Sequence, residues 1–290
     1  GILYLSSLLN HKRSILYFTQ PSTRTFLSFI SACQILGIKT SEIRDPSISS
    51  EKKGESLEDS LRTFSSYVDI IIMRSPVSGL CDRIADLLNT TNRPIPVINA
   101  GSGADEHPTQ ALLDIYTLQN AFREHGGIEN KVICMVGDLK RGRTIRSLSK
   151  LLTLYKGIKI IFASPKEFRI NEDLRSFLLQ KSIEFIETDN FYSLLPSADA
   201  IYMTRLQDEY DTSKDISSID PQKFNLTHNH LCKLKKHCAI LHPMPRRQEL
   251  DTRIDRDPRA YYWRQERNGM WIRVALILKI FARYKEIVSL

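Results

Sequence analysis

Short apolar runs, rich in isoleucine and valine, alternate along the chain with longer segments in which apolar residues recur at helical spacing. The runs lie at residues 15–18, 67–73, 96–99, 131–136, 158–163, 183–186, 200–203 and 239–241. Because they are nearly continuous rather than strictly alternating, they predict strands that helices cover on both faces. The alternation of strand and helix predicts the α/β class with parallel, doubly wound sheets.

A polar, glycine-containing stretch at residues 124–130 is the best candidate for a domain boundary. It follows a helical segment at 107–122 and precedes a strand, and such breaks are typical of linkers. The sequence therefore predicts two domains of similar size, over residues 1–123 and 131–269. Residues 270–290 are apolar at helical spacing, and we expect an amphipathic helix there that packs back on the first domain.

Composition and charge narrow the classes of function. The chain has 290 residues, 42% of them hydrophobic and 26% charged, and its apolar runs are far too short to cross a bilayer. The 41 Lys and Arg exceed the 33 Asp and Glu, and the net charge of +8 favours anionic partners. The basic residues lack the interleaved aromatic residues that stack on bases, so we expect neither nucleic acid nor a membrane as partner.

The cysteines bear on compartment and on metal binding. Five cysteines, without a Cys-x-x-Cys pair, indicate a reducing compartment and a cytoplasmic location. Histidines and cysteines cluster between residues 228 and 238, but their spacing matches no zinc pattern, and a polar surface helix explains them more simply. We therefore expect no metal and no cofactor.

The first candidate site is the loop at residues 21–25, which follows an apolar run and opens a helical segment. A strand that leads into a helix N-terminus presents unpaired backbone N–H groups and the positive end of the helix dipole. Ser22, Thr23, Arg24 and Thr25 add hydroxyl and guanidinium donors, so the loop suits an anion. The same residues are also ordinary at the start of a helix.

Four further candidates lie where predicted strands end, which is where α/β sheets bind ligands. His107 and Gln110 stand at the start of a helical segment and could polarise a carbonyl and bond an amine. Arg143 opens another helical segment, and Arg205 follows a strand, so each suits a carboxylate. Residues 242–246 form a turn that two prolines restrict, which fixes the direction of its carbonyl groups.

Together these motifs resemble the catalytic chains of aspartate carbamoyltransferases. The shared motifs, in the same order and at similar spacing, lie at residues 21–25, 49–55, 72–74, 107–110, 142–144, 203–207 and 242–246. The resemblance extends from about residue 15 to the end of the chain. Ornithine carbamoyltransferases share the first motif but have a His-Cys-Leu-Pro turn as the last one. The last motif of this chain instead resembles that of the aspartate enzymes, with His242, Pro243, Met244 and Pro245.

The resemblance implies a role for each matching residue, in an active site in the cleft between the two domains. It implies a carbamoyl phosphate site formed by Ser22, Thr23, Arg24, Thr25, Arg74, His107, Gln110, Met244 and Pro245. It implies an aspartate site formed by Ser49, Lys53, Arg143, Arg205 and Gln207. Of these, the residues implied to act in catalysis are Arg24, Thr25, Lys53, Arg74 and His107. In the family, the residues equivalent to Ser49 and Lys53 come from a neighbouring subunit, so the resemblance also implies a homotrimer, to which regulatory chains could attach.

The implied reaction is the transfer of a carbamoyl group to the amine of aspartate, in pyrimidine synthesis. An amine that attacks a carbamoyl carbon needs charge stabilisation and positioning rather than a metal or a nucleophilic side chain. Thr25, Arg74 and His107 would stabilise the developing oxyanion, at about 3 kcal/mol for each donor. The departing phosphate can accept the amine proton, so we assign no protein general base.

The chain departs from the family pattern at several positions. Phe26 and Ile30 replace an Arg and a Glu, and because both charges are lost together we expect the swap to be tolerated. Gln20 replaces an acidic residue and Tyr210 replaces its basic partner, which bears on domain closure and aspartate affinity, and Ser75 replaces a His. Two alternatives therefore remain: a carbamoyltransferase for another amino acid, and a diverged, non-catalytic trimeric paralogue.

Overall fold

The computed structural model describes residues 2–45, 54–103, 106–205 and 221–288. The chain forms two compact units: the first is Gly1–Thr109 with Gly269–Leu290, and the second is Gln110–Asn268. Each unit contains one parallel sheet with helices, so the predicted α/β class with two parallel-sheet domains is confirmed.

The first unit is built on a four-stranded sheet in the order β2-β1-β3-β4, in which every pair is parallel. The strands are β1 (Arg13–Phe18), β2 (Lys39–Ile43), β3 (Ile70–Ser75) and β4 (Val97–Ser102), and the helices are α1 (Ile2–Leu8), α2 (Thr23–Ile35), α3 (Leu57–Ser65) and α4 (Leu80–Asn89). Leu16 and Phe18 of β1 pack against α2, while Ile15 and Tyr17 pack with residues of α3 and α4 on the other face. This two-sided burial accounts for the continuous apolar runs.

The second unit is built on a five-stranded parallel sheet in the order β7-β6-β5-β8-β9. The strands are β5 (Val132–Val136), β6 (Lys159–Ala163), β7 (Glu184–Thr188), β8 (Ala200–Met203) and β9 (Ala239–Leu241), and the helices are α5 (Pro108–Ala121), α6 (Arg143–Leu152) and α7 (Glu172–Gln180). Helix α8 (Tyr262–Ile280) begins in this unit and ends in the first, and α9 (Lys285–Val288) comes after it. Short 3-10 turns complete the unit, including Pro221–Phe224, His228–Lys233 and Thr252–Arg256.

All eight strands predicted from apolar runs are present, but the prediction missed β2. Its sequence, Lys39–Ile43, is polar, and none of its residues is fully buried. It lies at the edge of the sheet and pairs only with β1 among the described strands. An edge strand buries too little to leave a hydrophobic signature, which is why periodicity did not reveal it.

The compact units divide earlier in the chain than the predicted boundary at residues 124–130, because of the packing of α5. Leu118 and Phe122 belong to the hydrophobic core of the second unit, and Asp114 hydrogen-bonds Tyr202 of β8. The compact second unit therefore begins at Gln110 rather than after residue 123. The polar stretch marks where the chain turns, but the contacts of the helix before it place that helix in the second unit.

The C-terminal helix also differs from its predicted bounds. The sequence predicts it over residues 270–290, but α8 already begins at Tyr262 and ends at Ile280. Ala282, in the left-handed region at φ 56°, lies just beyond the end of the helix, and the short helix α9 comes after it. Val274, Ile277 and Leu278 of α8 pack in the core of the first unit, beside α2.

The exchange of charged for apolar residues in α2 fits the surrounding core. Phe26 is buried and meets Phe18 edge to face at 5.3 Å, and the guanidinium of Arg44 lies 4.6 Å from the Phe26 ring centroid. Ile30 packs against the same core. The apolar pair thus adds to the packing between α2 and β1. Among the described residues, no helix is both long and apolar enough to span a membrane.

Candidate active site

The first unit brings three predicted site regions to one edge of its sheet. The chain order reverses between β1 and β3, and the carboxyl ends of such neighbouring strands are the usual ligand site of an open α/β sheet. Phe18, the last residue of β1, is in register with Arg74, and Ser75 is in register with Ser102 of β4. The loop before α2, the end of β3 and the segment leading to His107 therefore meet at this edge.

Thr25, Arg74 and His107 are buried and in contact with one another. The Nε2 atom of His107 lies 3.4 Å from Oγ1 of Thr25 and 3.4 Å from Nη1 of Arg74. The same Nη1 donates to the carbonyl of Ala100 at 3.2 Å, which ties the guanidinium to β4. The cluster offers a cation, a hydroxyl and an imidazole to one small anion.

The N-terminus of α2 adjoins this cluster. Ser22 is the N-cap residue with extended φ of −164°, and its side chain makes no capping hydrogen bond. Thr23 and Arg24 are exposed, whereas Thr25 is buried. The helix has 13 residues and no acidic residue in its first turn. The predicted order of strand, loop and helix around residues 21–25 is therefore present, and a helix start of this kind has a positive end and donor groups that suit an anion.

Sequence reasoning missed Arg273, a buried arginine of α8 in the first unit. Its Nη1 donates to Oγ of Ser28 at 2.8 Å, and its Nη2 to Oγ1 of Thr109 at 3.4 Å. The guanidinium also lies 4.9 Å from the ring centroid of Phe29. Arg273 thus ties α8 to α2 and to the first turn of α5, two residues after His107. No local motif signals it, because its partners are far away in sequence.

The second unit places both predicted carboxylate-binding arginines after neighbouring strand ends. Its chain order reverses between β5 and β8, and Val136 is in register with Met203. Arg143 is the first residue of α6, after β5, and Arg205 follows the end of β8. Both side chains are half-buried. Two arginines at one edge of a sheet are suited to a ligand with two carboxylates.

Gly137 and Thr204 hold these two strand ends together. Thr204 donates from both its backbone N–H and its Oγ1 to the carbonyl of Val136, at 2.8 Å each. A Cβ on Gly137 would stand 2.2 Å from the Thr204 carbonyl oxygen, and φ of Gly137 is +116°. Only glycine allows this approach of two chain segments.

The turn at residues 242–245 comes after β9, the neighbour of β8. Nδ1 of His242 accepts a hydrogen bond from the Met244 N–H at 2.8 Å, so Nε2 carries the proton and donates it to Glu249, also at 2.8 Å. Met244 has φ of 49°, in the left-handed region. Burial alone would raise the pKa of Glu249, but hydrogen bonds from His242 and the Arg247 N–H lower it on balance. His242 thus fixes the backbone whose carbonyls were predicted to face the ligand.

Arg246 fixes the other end of the turn. It forms a two-pronged ion pair with Asp255, including Nη2 to Oδ2 at 2.8 Å, and this hydrogen bonding holds the pKa of Asp255 below its usual range. The guanidinium also lies 5.6 Å from the ring centroid of Tyr262 and 5.4 Å from that of Trp263. The ion pair and both rings anchor the residue that comes after Pro245.

Comparison with known protein families identifies both halves of the chain. Residues 4–120 match the family model described as the aspartate/ornithine carbamoyltransferase carbamoyl-P binding domain, and residues 129–280 match the Asp/Orn binding domain of the same family. The chain belongs to the aspartate/ornithine carbamoyltransferase family. This confirms the family resemblance inferred from the motifs.

Named relatives of this carbamoyltransferase family member are of the aspartate type. The chain is 40% identical over 264 residues to aspartate carbamoyltransferase 2, chloroplastic, of Pisum sativum, covering 90% of the chain and 66% of that protein. It thus spans about two thirds of the length of the curated chloroplastic relatives. It is 40% identical over 282 residues to the aspartate carbamoyltransferase catalytic subunit of Finegoldia magna, covering 95% of the chain and 87% of that protein.

A solved relative has the same fold. The aspartate transcarbamoylase of Trypanosoma cruzi, in complex with carbamoyl phosphate and aspartate, superposes with a TM-score of 0.81 and 35% identity, covering 93% of this chain and 84% of that one. Agreement at this level extends over both parallel-sheet units.

Some predicted site residues of this family member lie outside the described residues. They are Ser49, Lys53 and Gln207, together with Tyr210, one of the departures from the family pattern. Two other departures are described: the Gln20 N–H approaches the Arg74 carbonyl at 3.4 Å, and the buried Oγ of Ser75 accepts from the Val77 N–H at 3.1 Å. Within the described ranges, no group of three or more His, Cys, Asp or Glu residues is arranged to hold a metal ion.

A buried carboxylate in the second unit was not anticipated from the sequence. Asp114 of α5 is fully buried and accepts hydrogen bonds from Gln110, Tyr202 and Gln265. Burial raises the pKa of Asp114 to about 7, although these three hydrogen bonds act in the opposite direction and the charge of Glu266 adds to the rise. The position of Asp114 four residues after Gln110, on the same helix face, is the signal that could have revealed it.

The pKa of Asp114 predicts how stability depends on pH. Because its folded-state value of about 7 lies above the ordinary 3.8, the unfolded chain releases this proton at lower pH than the folded protein does. The stability contribution is therefore complete below about pH 4 and is lost as pH rises towards 7, by at most about 1.4 kcal/mol per pH unit. Urea unfolding of the wild type and of Asp114→Asn at about pH 5, 6, 7 and 8 measures this. A stability difference between the two proteins that does not change with pH would contradict the assignment.

Proposed function

We propose that this protein transfers the carbamoyl group of carbamoyl phosphate to the amine of L-aspartate, giving N-carbamoyl-L-aspartate and phosphate in pyrimidine biosynthesis. The observation that carries the proposal is the contact of Thr25, Arg74 and His107 beside the N-terminus of α2. The name of the Finegoldia magna relative, and the two substrates in the Trypanosoma cruzi structure, support the same substrate pair.

Carbamoyl phosphate would be held through its phosphate and through its amide. Donors for the phosphate are the α2 N-terminus with its side chains, which comprise Ser22, Thr23, Arg24 and Thr25. Arg74 and His107 lie against Thr25, where they reach the carbamoyl oxygen. Gln110 and the backbone carbonyls of Met244 and Pro245 supply acceptors for the amide N–H groups.

Aspartate would be held through its two carboxylates. The guanidinium groups of Arg143 and Arg205 follow adjacent strand ends, and each can bind a carboxylate through two hydrogen bonds. Gln207 is proposed to assist them. With the carboxylates fixed, the amine is presented to the carbamoyl carbon without the entropy cost of a free encounter.

The chemistry requires stabilisation of negative charge on the carbamoyl oxygen. When the amine nitrogen bonds to the carbon, the C=O electrons move to oxygen, and Thr25, Arg74 and His107, which contact one another, would stabilise that charge. Collapse breaks the bond from carbon to the phosphate oxygen, and the departing phosphate takes the amine proton. No side chain is assigned as general base.

The assembly and the location follow from the same proposal. Ser49 and Lys53 would complete the site of a neighbouring subunit, so the working unit would be a homotrimer with shared sites, to which regulatory chains could attach. We propose a cytoplasmic location on the basis of the cysteine content, while the pea relative is named as chloroplastic.

The proposal is tested by measuring carbamoyl-amino-acid formation from carbamoyl phosphate, with aspartate, ornithine and other amino acids in parallel. We expect turnover with aspartate alone. Replacing Arg143 by alanine removes a charged, forked partner of one carboxylate, so kcat/KM for aspartate should fall by about 10²-fold, mainly through KM. The dissociation constant for carbamoyl phosphate, from calorimetry, should stay within about twofold because Arg143 is assigned to the other substrate.

The control is Arg146→Ala in the same helix. Arg146 lies three residues after Arg143 but pairs with Asp173 of α7, so aspartate kinetics should change little. Turnover with another amino acid would reassign the second substrate. Binding of carbamoyl phosphate without turnover of any amino acid would indicate a non-catalytic paralogue instead.

A further inference from the structure

The amide of Gln110 is held in one orientation by Asp114. Its Nε2 donates to Oδ1 of Asp114 at 3.0 Å, and both residues are buried. Oδ1 accepts from the amide nitrogens of both Gln110 and Gln265, so the nitrogen end of the Gln110 amide faces the carboxyl group and its oxygen end points elsewhere. The orientation of the Gln110 amide matters for a ligand with an NH₂ group, because Oε1 can accept a hydrogen bond from that group. If the amide were reversed, its own NH₂ group would face the NH₂ group of the ligand, and both would be donors.

Gln265 extends the same constraint to the turn after β9. Its Nε2 donates to Oδ1 of Asp114 at 2.6 Å, and its Oε1 accepts from the backbone N–H of His242 at 2.9 Å. His242 in turn accepts from the Met244 N–H. One oxygen of Asp114 thus fixes both Gln110 and the backbone that carries the carbonyls of Met244 and Pro245.

The second oxygen of Asp114 has a separate partner. Oδ2 accepts from the hydroxyl of Tyr202 in β8 at 2.7 Å. In the part of the chain that the structure describes, the three groups that hydrogen-bond Asp114 are uncharged. A carboxylate without a paired cation is costly to bury, and packing alone gives no reason to keep one here.

We propose that Asp114 and Gln265 are positioning residues that make the site selective for an amide. They orient the Gln110 side chain and the 242–245 turn so that three oxygen acceptors face the NH₂ group of the carbamoyl moiety. This inference rests on the proposed function. The inference goes beyond the proposed function because it concerns selectivity: carbamoyl phosphate is preferred over acyl phosphates that lack the NH₂ group. It assigns this selectivity to two residues that contact no substrate.

The test compares carbamoyl phosphate with acetyl phosphate, which has a methyl group in place of the NH₂. Both dissociation constants, and that of inorganic phosphate, are measured by calorimetry on the full chain. We expect the wild type to prefer carbamoyl phosphate by roughly 10²-fold, and Asp114→Leu to reduce the preference to about threefold. The affinities for acetyl phosphate and phosphate should be unchanged, because neither presents an NH₂ group.

Three further variants separate positioning from structure. Asp114→Asn keeps an oxygen towards the two glutamines while its NH₂ can donate to the Tyr202 hydroxyl, so the preference should be retained. Tyr202→Phe removes the hydrogen bonds of the hydroxyl to Oδ2 of Asp114 and with Thr144 but leaves Oδ1 and its two glutamine partners in place, so it should lower the unfolding midpoint and leave the preference intact. Gln265→Leu frees the turn but not Gln110, and should reduce the preference by about tenfold, which provides the test if Asp114→Leu does not fold.

The outcomes distinguish this inference from the proposed function. A wild-type preference that survives in both Asp114→Leu and Gln265→Leu overturns the inference and leaves the proposed function in place. An equal loss of affinity for all three ligands in these variants also overturns it, because that result indicates a structural role. A wild type that does not bind carbamoyl phosphate overturns both.

Discussion

Replacing Arg74 by alanine is expected to lower kcat for carbamoyl-aspartate formation by about 10²–10³-fold, or ~3–4 kcal/mol of transition-state stabilisation. Arg74 is buried, touches His107 and is oriented by the Ala100 carbonyl, so its charge is fixed beside the group that the proposed mechanism assigns to the carbamoyl oxygen. A preorganised, poorly solvated cation of this kind stabilises the transition state more than the substrate. Steady-state kinetics at saturating aspartate and carbamoyl phosphate measures the change in kcat.

Arg93 provides the matched control for this substitution. It is also an arginine of the first unit that donates to backbone carbonyls, those of Ser65 and Val68, and it pairs with Asp69. Arg93→Ala should therefore lower stability and leave kcat within about twofold. If Arg74→Ala and Arg93→Ala reduce kcat equally, Arg74 acts through the fold and its assigned role is wrong.

The second large effect concerns stability. Gly137→Ala is expected to lower the free energy of unfolding by about 2–6 kcal/mol, the sum of backbone strain and steric overlap. The added Cβ would meet backbone atoms of Thr204, which cannot move aside as a flexible side chain can. Urea unfolding measures the loss. Because the Thr204 backbone leads to Arg205, KM for aspartate should also rise in protein that remains folded.

Gly126→Ala separates strain from overlap. Gly126 also has positive φ, of +82°, but among the described residues, apart from its chain neighbours, no heavy atom lies within 4 Å of the position of its Cβ. It should cost only about 1–2 kcal/mol, because a residue with a side chain is strained in the left-handed conformation. Equal losses in the two variants would show that the approach of Gly137 to Thr204 contributes nothing.

Much of the fold was predictable because buried strands have a recognisable apolar sequence pattern. Strands such as β3 and β5, covered on both faces, are continuous apolar runs, and their positions can be read directly. Strand β2 could not be found in this way, because an edge strand with a polar sequence has no continuous apolar run. The packing of α5 in the core of the second unit was not predicted for a different reason: helical periodicity indicates that a helix has a buried face, but not which sheet that face covers.

In the candidate site, too, the sequence predicted some residues and missed others. Residues that follow a strand and open a helix, such as Thr25 and Arg143, are visible in the sequence because the motif is local. Arg273 is not, since its partner Ser28 lies far away in the chain, and Asp114 offers only its spacing from Gln110, since its other partners, Tyr202 and Gln265, are distant. Only the folded chain shows that these residues brace the ones that the motifs reveal.

The path of α5 has a consequence for exchanging parts between relatives. The linker-like stretch after this helix is an obvious point at which to join segments of two relatives. A junction there would separate Asp114, Leu118 and Phe122 from the rest of the second unit, to whose interior they belong. A chimera joined at that point would combine one parent's helix with another parent's sheet. Grafting Gln110–Asn268 as a single block, with crossovers inside α5 and α8, would carry the buried carboxylate together with its donors.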